Sequence, residues 1–129
     1  AKVVARGGNF LLNVGPDRLG RFPPQAMERL EEIRRWMSTN GEAIYGTSYG
    51  PPAGDNAVST RKSGTAYLIA LGKSDTGKLT IPAELGTVGR ASALGTGDVT
   101  EIDRSGDDLR LTLPNDFEAK VPLVIKLEV

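Results

Sequence analysis

Apolar side chains follow two rhythms along this chain, and the change between them divides it. Near the start, Phe10-Leu11-Leu12 and Val14 form an almost unbroken apolar run. Such a run predicts a strand covered on both faces, as strands of a parallel sheet are beneath their helices. Gly15-Pro16-Asp17-Arg18-Leu19-Gly20-Arg21 then reads as a loop, because Pro16 cannot continue a central strand and Asp17 and Gly20 form turns. Pro23-Pro24 opens a helix, where a missing N–H costs nothing. Over residues 26–39, Met27, Leu30, Ile33 and Met37 recur at three- and four-residue spacing with Ala26 and Trp36 beside them, which predicts one buried face. Glu31 and Glu32 with Arg35 make solvated pairs on the other side, worth about 0.3 kcal/mol each. Asn40-Gly41 is expected to end the helix with Gly41 in the left-handed conformation, and Ala43-Ile44-Tyr45-Gly46-Thr47 closes the unit.

After residue 47 the rhythm changes to period two. Residues 48–56 hold Tyr49, Gly50, Pro51, Pro52, Gly54 and Asp55, a density of breakers that predicts a linker. Short strands are then expected at 58–61, 66–71, 78–81, 90–94, 99–103, 109–113 and 123–129, separated by Gly, Asp, Ser and Pro turns. Leu109, Leu111 and Leu113 point one way while Arg110 and Thr112 point the other. Leu123, Ile125, Leu127 and Val129 repeat the pattern, with Lys126 and Glu128 facing out. Arg104-Ser105-Gly106-Asp107-Asp108 reads as a hairpin loop. The expected fold is mainly β: an antiparallel β-sandwich over 57–129, preceded by a strand-loop-helix unit over 1–47 and a linker over 48–56. A strand like 10–14 needs parallel neighbours, and the rest of the chain offers antiparallel ones. The first unit therefore reads as the last piece of a larger α/β body.

Composition narrows the chemistry. The 129 residues suffice for one modest domain with an appendage. Sixteen basic residues balance 16 acidic ones, so no long-range field draws in nucleic acid or an anionic membrane. No apolar run approaches the ~20 residues of a membrane span, and no signal pattern reveals a compartment. The chain begins Ala1-Lys2 rather than with Met, in keeping with trimming or with a cut inside a longer protein. With no cysteine and no histidine, thiolate and imidazole metal sites, disulfides and Ser-His catalysis are excluded, and no metal or cofactor is expected.

Few residues remain as candidates. Gly72-Lys73-Ser74-Asp75-Thr76-Gly77-Lys78 has the spacing of a phosphate-binding loop, but Leu79 stands where a magnesium-binding hydroxyl belongs and a strand follows instead of a helix, so it reads as a polar turn. Asp107-Asp108 reads as a turn pair whose carboxylates diverge. Asp17 lies in the loop after the apolar run, at the edge where α/β folds place ligand sites. Glu42 follows the helix end and is expected to serve as a hydrogen-bonding residue before a catalytic one. Trp36 and Tyr67 sit in periodic elements and are expected in the core. Tyr49, among glycines and prolines, is the aromatic residue placed to meet a sugar ring.

Gly7-Gly8-Asn9-Phe10-Leu11-Leu12-Asn13-Val14-Gly15-Pro16, then Gly20, Pro23-Pro24, the helix with Trp36, and Asn40-Gly41-Glu42-Ala43-Ile44-Tyr45-Gly46-Thr47 resemble the C-terminal end of the catalytic domain in α-L-fucosidases of glycoside hydrolase family 29. Gly64-Thr65-Ala66-Tyr67-Leu68-Ile69-Ala70-Leu71, Gly77-Lys78-Leu79-Thr80-Ile81-Pro82 and Val124-Ile125-Lys126-Leu127-Glu128-Val129 resemble that family's C-terminal β-sandwich. The resemblance implies that the strand-loop-helix unit is left over from a (β/α)8-like barrel. It implies a retaining exo-glycosidase that removes terminal α-L-fucose from glycans, with one carboxylate attacking the sugar carbon and a second protonating the leaving oxygen. The family's nucleophile and fucose-gripping histidines lie upstream of every matched residue, so no catalytic residue is carried over.

Three functions follow as expectations. The first is a scaffold or accessory portion of a fucosidase, inactive alone, whose 1–47 unit meets the missing barrel or a second copy of itself. The second is a chain that self-assembles into an active fucosidase or transfucosylase, with Asp17 and Glu42 as its carboxylates. The third is a carbohydrate-binding sandwich that uses Tyr49.

Overall fold

The computed structural model describes residues 1–54, 56–72, 76–97, 101–104, 109–114, 117 and 120–129. The first 50 residues carry a 3-10 turn at Val4–Arg6, helix α1 at Pro24–Asn40, a second 3-10 turn at Gly41–Ala43 and strand β1 at Ser48–Tyr49. Strands β2 (Ala57–Lys62), β3 (Thr65–Ala70) and β4 (Lys78–Ile81) follow, and then a 3-10 turn at Ala83–Leu85. Strands β5 (Arg90–Ala93), β6 (Ile102–Asp103), β7 (Leu109–Thr112) and β8 (Leu123–Glu128) complete the described elements. All described pairings are antiparallel. They form a five-stranded sheet in the order β1-β2-β3-β8-β5 and a three-stranded sheet in the order β4-β7-β6.

The alternation of β7 and β8 sends one face of each to a common core, as period two requires. Leu111 meets Leu79 across the ladder of the small sheet, and Ile125 and Leu127 lie opposite Leu68 and Ala66 in the large one. These residues, with Ile81, Leu85, Val88, Ala91 and Phe117, fill the space between the sheets. The sandwich is present as expected. β3 goes further, because its other face is buried too: Tyr67 and Ile69, with Val124 of β8, pack against Ala43, Trp36, Ile44, Val58 and Leu94. The large sheet is therefore covered by the small sheet on one side and by the end of α1 on the other.

That end of α1 is held by specific hydrogen bonds. The Trp36 indole N–H donates to the Pro122 carbonyl at 2.8 Å, and Asn40 Nδ2 donates back to the Trp36 carbonyl at 3.0 Å. Thr60 of β2, fully buried, donates its hydroxyl to the Ala43 carbonyl at 2.7 Å. The helix does not stop at Gly41 in the left-handed conformation. Gly41 keeps a right-handed φ of −59°, and the chain tightens into a 3-10 turn. The positive φ falls later, at Gly46 (67°). A Cβ at Gly41 would meet the Tyr45 ring at 3.4 Å, an ordinary contact, so neither backbone conformation nor packing requires glycine there.

The opening of the chain differs from its expectation. Residues 7–17 carry no strand, and Leu11 is 90% and Phe10 68% exposed. The physical reason is that a strand exists only in a ladder, and no described strand lies beside this run. The apolar stripe of α1 is likewise open, with Met27 49% and Ile33 44% exposed and Leu30 half-buried. On its polar side Glu31 accepts from Arg34 at 2.7 Å and Arg35 at 3.1 Å, while Glu32 pairs with Arg29 at 2.6 Å rather than with Arg35.

Two tests follow from how α1 is held. Trp36→Phe keeps an aromatic ring at the contact but removes the indole N–H that serves the Pro122 carbonyl and part of the buried ring, so denaturant titration should show a loss of at least about 1–2 kcal/mol. The Arg34 hydrogen bonds, and then those of Arg35, hold the Glu31 carboxyl down from its ordinary 4.5 to about 2. A depressed carboxylate stabilises above its unfolded pKa and stops doing so as pH falls through the folded value. The far-ultraviolet helical signal should therefore weaken between pH 4.5 and about 2. Glu31→Gln should remove that dependence.

Candidate functional site

Asp17 turns its carboxylate onto its own loop. Oδ1 accepts the backbone N–H groups of Leu19 at 2.8 Å and Arg21 at 2.9 Å, and Oδ2 accepts Arg21 Nε at 3.0 Å. The Arg21 backbone N–H foremost, with the Leu19 N–H and the Arg21 side chain, holds this carboxyl below the usual range. A depressed pKa suits a permanently ionised group and disfavours a proton donor.

Glu42 stands in the 3-10 turn that follows α1 and faces β8. Its carboxylate oxygens lie 3.4 and 3.5 Å from Lys126 Nζ. Close by is Tyr67, 2% exposed, whose phenol is pushed up by burial first and by the Glu42 charge second, with Lys126 opposing. These three groups tie the turn to the sheet. Asp17 and Glu42 have separate partners, each with a cation among them.

Tyr49 is 60% exposed on β1, opposite Thr60 in the ladder. One ring edge lies over Gly7, where a Cβ would come 3.5 Å from Cδ1. Gly50, next along the chain, was not singled out by sequence reasoning, yet it determines how this edge sits. Its N–H donates to the Ser59 carbonyl at 3.1 Å, and Ser59 Oγ donates to the Pro51 carbonyl. A Cβ at Gly50 would lie 2.3 Å from Ser59 Oγ and 2.8 Å from the Ser59 carbonyl carbon. The one signal available was glycine beside a strand, which marks close approach of backbones.

The remaining candidates resolve in part. Lys78 begins β4 and its Nζ meets Asp103 Oδ2 at 2.9 Å, while Leu79 points into the core, so a strand follows the Gly72 to Lys78 motif. Residues 73–75 of that motif lie outside the described residues, as do Asp107 and Asp108 with most of their loop. Among the described residues there is no group of three or more carboxylates that could hold a metal ion, and no helix is long and apolar enough to cross a membrane.

The comparisons with known proteins agree with one another. The family model for α-L-fucosidase matches residues 1–42. The α-L-fucosidase of Branchiostoma floridae is 38% identical over 85 residues, which is 63% of this chain and 19% of that protein. The crystal structure of the Thermotoga maritima α-fucosidase matches 97% of this chain with a TM-score of 0.78 and 31% identity, using 32% of its own length. A family 29 α-L-fucosidase from Bacteroides thetaiotaomicron, solved as a trapped covalent intermediate, matches 98% of this chain with a TM-score of 0.85 and 28% identity, using 30% of its own. The chain thus matches a portion of the α-L-fucosidases of glycoside hydrolase family 29. It spans about a third of the length of those solved enzymes and about a fifth of the Branchiostoma protein.

Gly50→Ala should lower stability by about 2 kcal/mol, because the added methyl meets backbone that cannot give way. Gly15→Ala, whose Cβ meets nothing within 4 Å, should change it by less than about 0.5 kcal/mol. Thermal or denaturant unfolding of both variants reads the contrast.

Proposed function

We propose that this chain is the C-terminal portion of a retaining α-L-fucosidase and acts within it as scaffold. Residues 1–47 supply a last strand and helix to the catalytic barrel, 50–56 connect, and 57–129 with β1 at Ser48–Tyr49 form the accessory sandwich. One observation carries the reading. The segment matched by the fucosidase model is the segment whose apolar side chains stand in solvent, Phe10, Leu11, Leu12, Leu19, Phe22, Met27 and Ile33 among them, while the sandwich fills its own core. Apolar surface of that extent marks an interface, and a barrel wall would cover it.

On this reading the substrates are glycans that end in α-L-fucose, and the two carboxylates of the reaction lie in the rest of the barrel. Asp17 shapes the loop before α1, Glu42 fastens the helix end to β8, and Tyr49 packs over the Gly7 turn. The partner of the 1–47 unit is the remainder of the barrel or, for the chain by itself, a second copy.

The purified chain should show no turnover of an aryl α-L-fucoside above the uncatalysed rate. Appreciable turnover that falls with Asp17→Asn or Glu42→Gln would overturn the scaffold reading in favour of a self-assembled enzyme. Turnover indifferent to both substitutions would overturn it and the choice of carboxylates together.

A further inference from the structure

At one open end of the sandwich lies a hollow of about 360 Å³. It begins as a row across three strands: Ser48 of β1, Arg61 of β2 and Ala66 of β3 are successive register partners, so all three face the same side of the large sheet. Ala66 belongs to the core between the sheets, and the row therefore opens onto the sandwich interior. The opposite wall comes from the 3-10 turn Ala83–Leu85, with Leu85 in the core and Glu84 at the rim. The tight β2–β3 turn completes the rim with Ser63 and Gly64, the latter at φ 69°.

The charges of this hollow do not neutralise one another. Arg61 and Glu84 line it, yet the ion pairs among the described residues involve other side chains, and the Lys62 ammonium lies by Gly46, away from the hollow. Arg61 and Glu84 thus line the hollow without pairing with each other, and Ala66, Leu85 and Val129 supply its apolar lining. The volume stands at the lower end of the ~300–1,000 Å³ usual for small-molecule pockets.

We infer that this hollow is a binding site for a single sugar ring of a glycan. A pyranose has an apolar C–H face that suits the floor, and hydroxyls around its edge that both donate and accept. The Arg61 guanidinium can donate its fork to two adjacent hydroxyl oxygens, and the Glu84 carboxylate can accept from hydroxyls on the other side. A purely apolar ligand would leave both charges without partners. A simple anion would meet Arg61 but would be repelled by Glu84 and gain nothing from the floor. The site goes beyond the fucosidase reading and does not depend on it, since no residue of the 1–47 unit lines it.

Titration of the ¹⁵N-labelled chain with L-fucose, D-galactose and 2′-fucosyllactose tests this. At least one sugar should give saturable amide shifts in the millimolar range, centred on Gly64, Ala66 and Glu84. Arg61→Ala and Glu84→Gln, both at exposed positions and so expected to fold, should each weaken binding about tenfold, the effect of losing one charge-assisted hydrogen bond. Arg29→Ala, on α1 and outside the hollow, should leave the affinity unchanged. Absence of saturable shifts with all three sugars, shifts centred elsewhere, or affinity indifferent to Arg61→Ala and Glu84→Gln would overturn the site. Tighter saturation of the same amides by inorganic phosphate would overturn it as well, making the hollow an anion site. The fucoside assay reads the fucosidase proposal separately, so one can fail without the other.

Discussion

The β3–β8 ladder is the constraint on which the rest depends. Its six register pairs, from Thr65↔Glu128 to Ala70↔Leu123, lie at the centre of the large sheet, and both faces of β3 are covered. Leu68 and Ile125 stand side by side on the sandwich face; Ile69 and Val124 do so on the helix face. All four are fully buried, and each such side chain contributes about 1.5–3 kcal/mol. A one-residue slip would exchange the two faces, placing Lys126 in the interior and leaving Trp36 without its cover. Register, core and helix docking are therefore one decision taken at one ladder.

How much of this was legible depends on which residues carry their own context. The alternation of Leu109-Arg110-Leu111 and of Leu123 through Leu127 identified β7 and β8, because period two on a half-covered strand is a local signal. Trp36 and Tyr67 were placed in packed surroundings correctly, since aromatic residues inside periodic elements have few other uses. What escaped was tertiary. Phe10-Leu11-Leu12 has the pattern of a doubly covered strand, and whether it is one depends on neighbours its own residues do not supply. Gly50 looked like one breaker among many, although its role is set by Ser59, a residue on another strand. The hollow joins β1, β2, β3 and the Ala83–Leu85 turn, so no short window contains it. Asp17 and Glu42 were visible as carboxylates; their partners Arg21 and Lys126 emerged only with the fold.

The covering of the large sheet also explains why the two parts of the chain behave so differently. Residues near the end of α1 gain cover from the sheet: Ala43 is fully buried and Trp36 partly so. Residues farther back along the helix gain less: Leu30 is half-buried, while Met27 and Ile33 stay exposed, their apolar atoms in water at about 25 cal/mol for every Å² left exposed. A stripe with helical spacing that stays this open is costly to solubility and adds little to stability. Under the scaffold proposal it becomes useful, since the same stripe would complete a barrel wall.

That proposal places a mechanical demand on the helix end, and the contacts there are suited to it. A helix held at a single point could pivot, and its stripe would then have no defined direction. Here the last turns are fixed on several sides: Trp36 to Pro122 beside β8, Ala43 to Thr60 on β2, Glu42 to Lys126 on β8, and Thr39 against the turn at Gly95, where even a Cβ would come within 2.8 Å. Contacts spread over β2, β8 and the turn after β5 resist rotation about any one of them. The sandwich thereby sets the direction in which Met27, Leu30 and Ile33 face. Under the scaffold proposal, a brace of this kind would act through orientation and would need no catalytic group of its own.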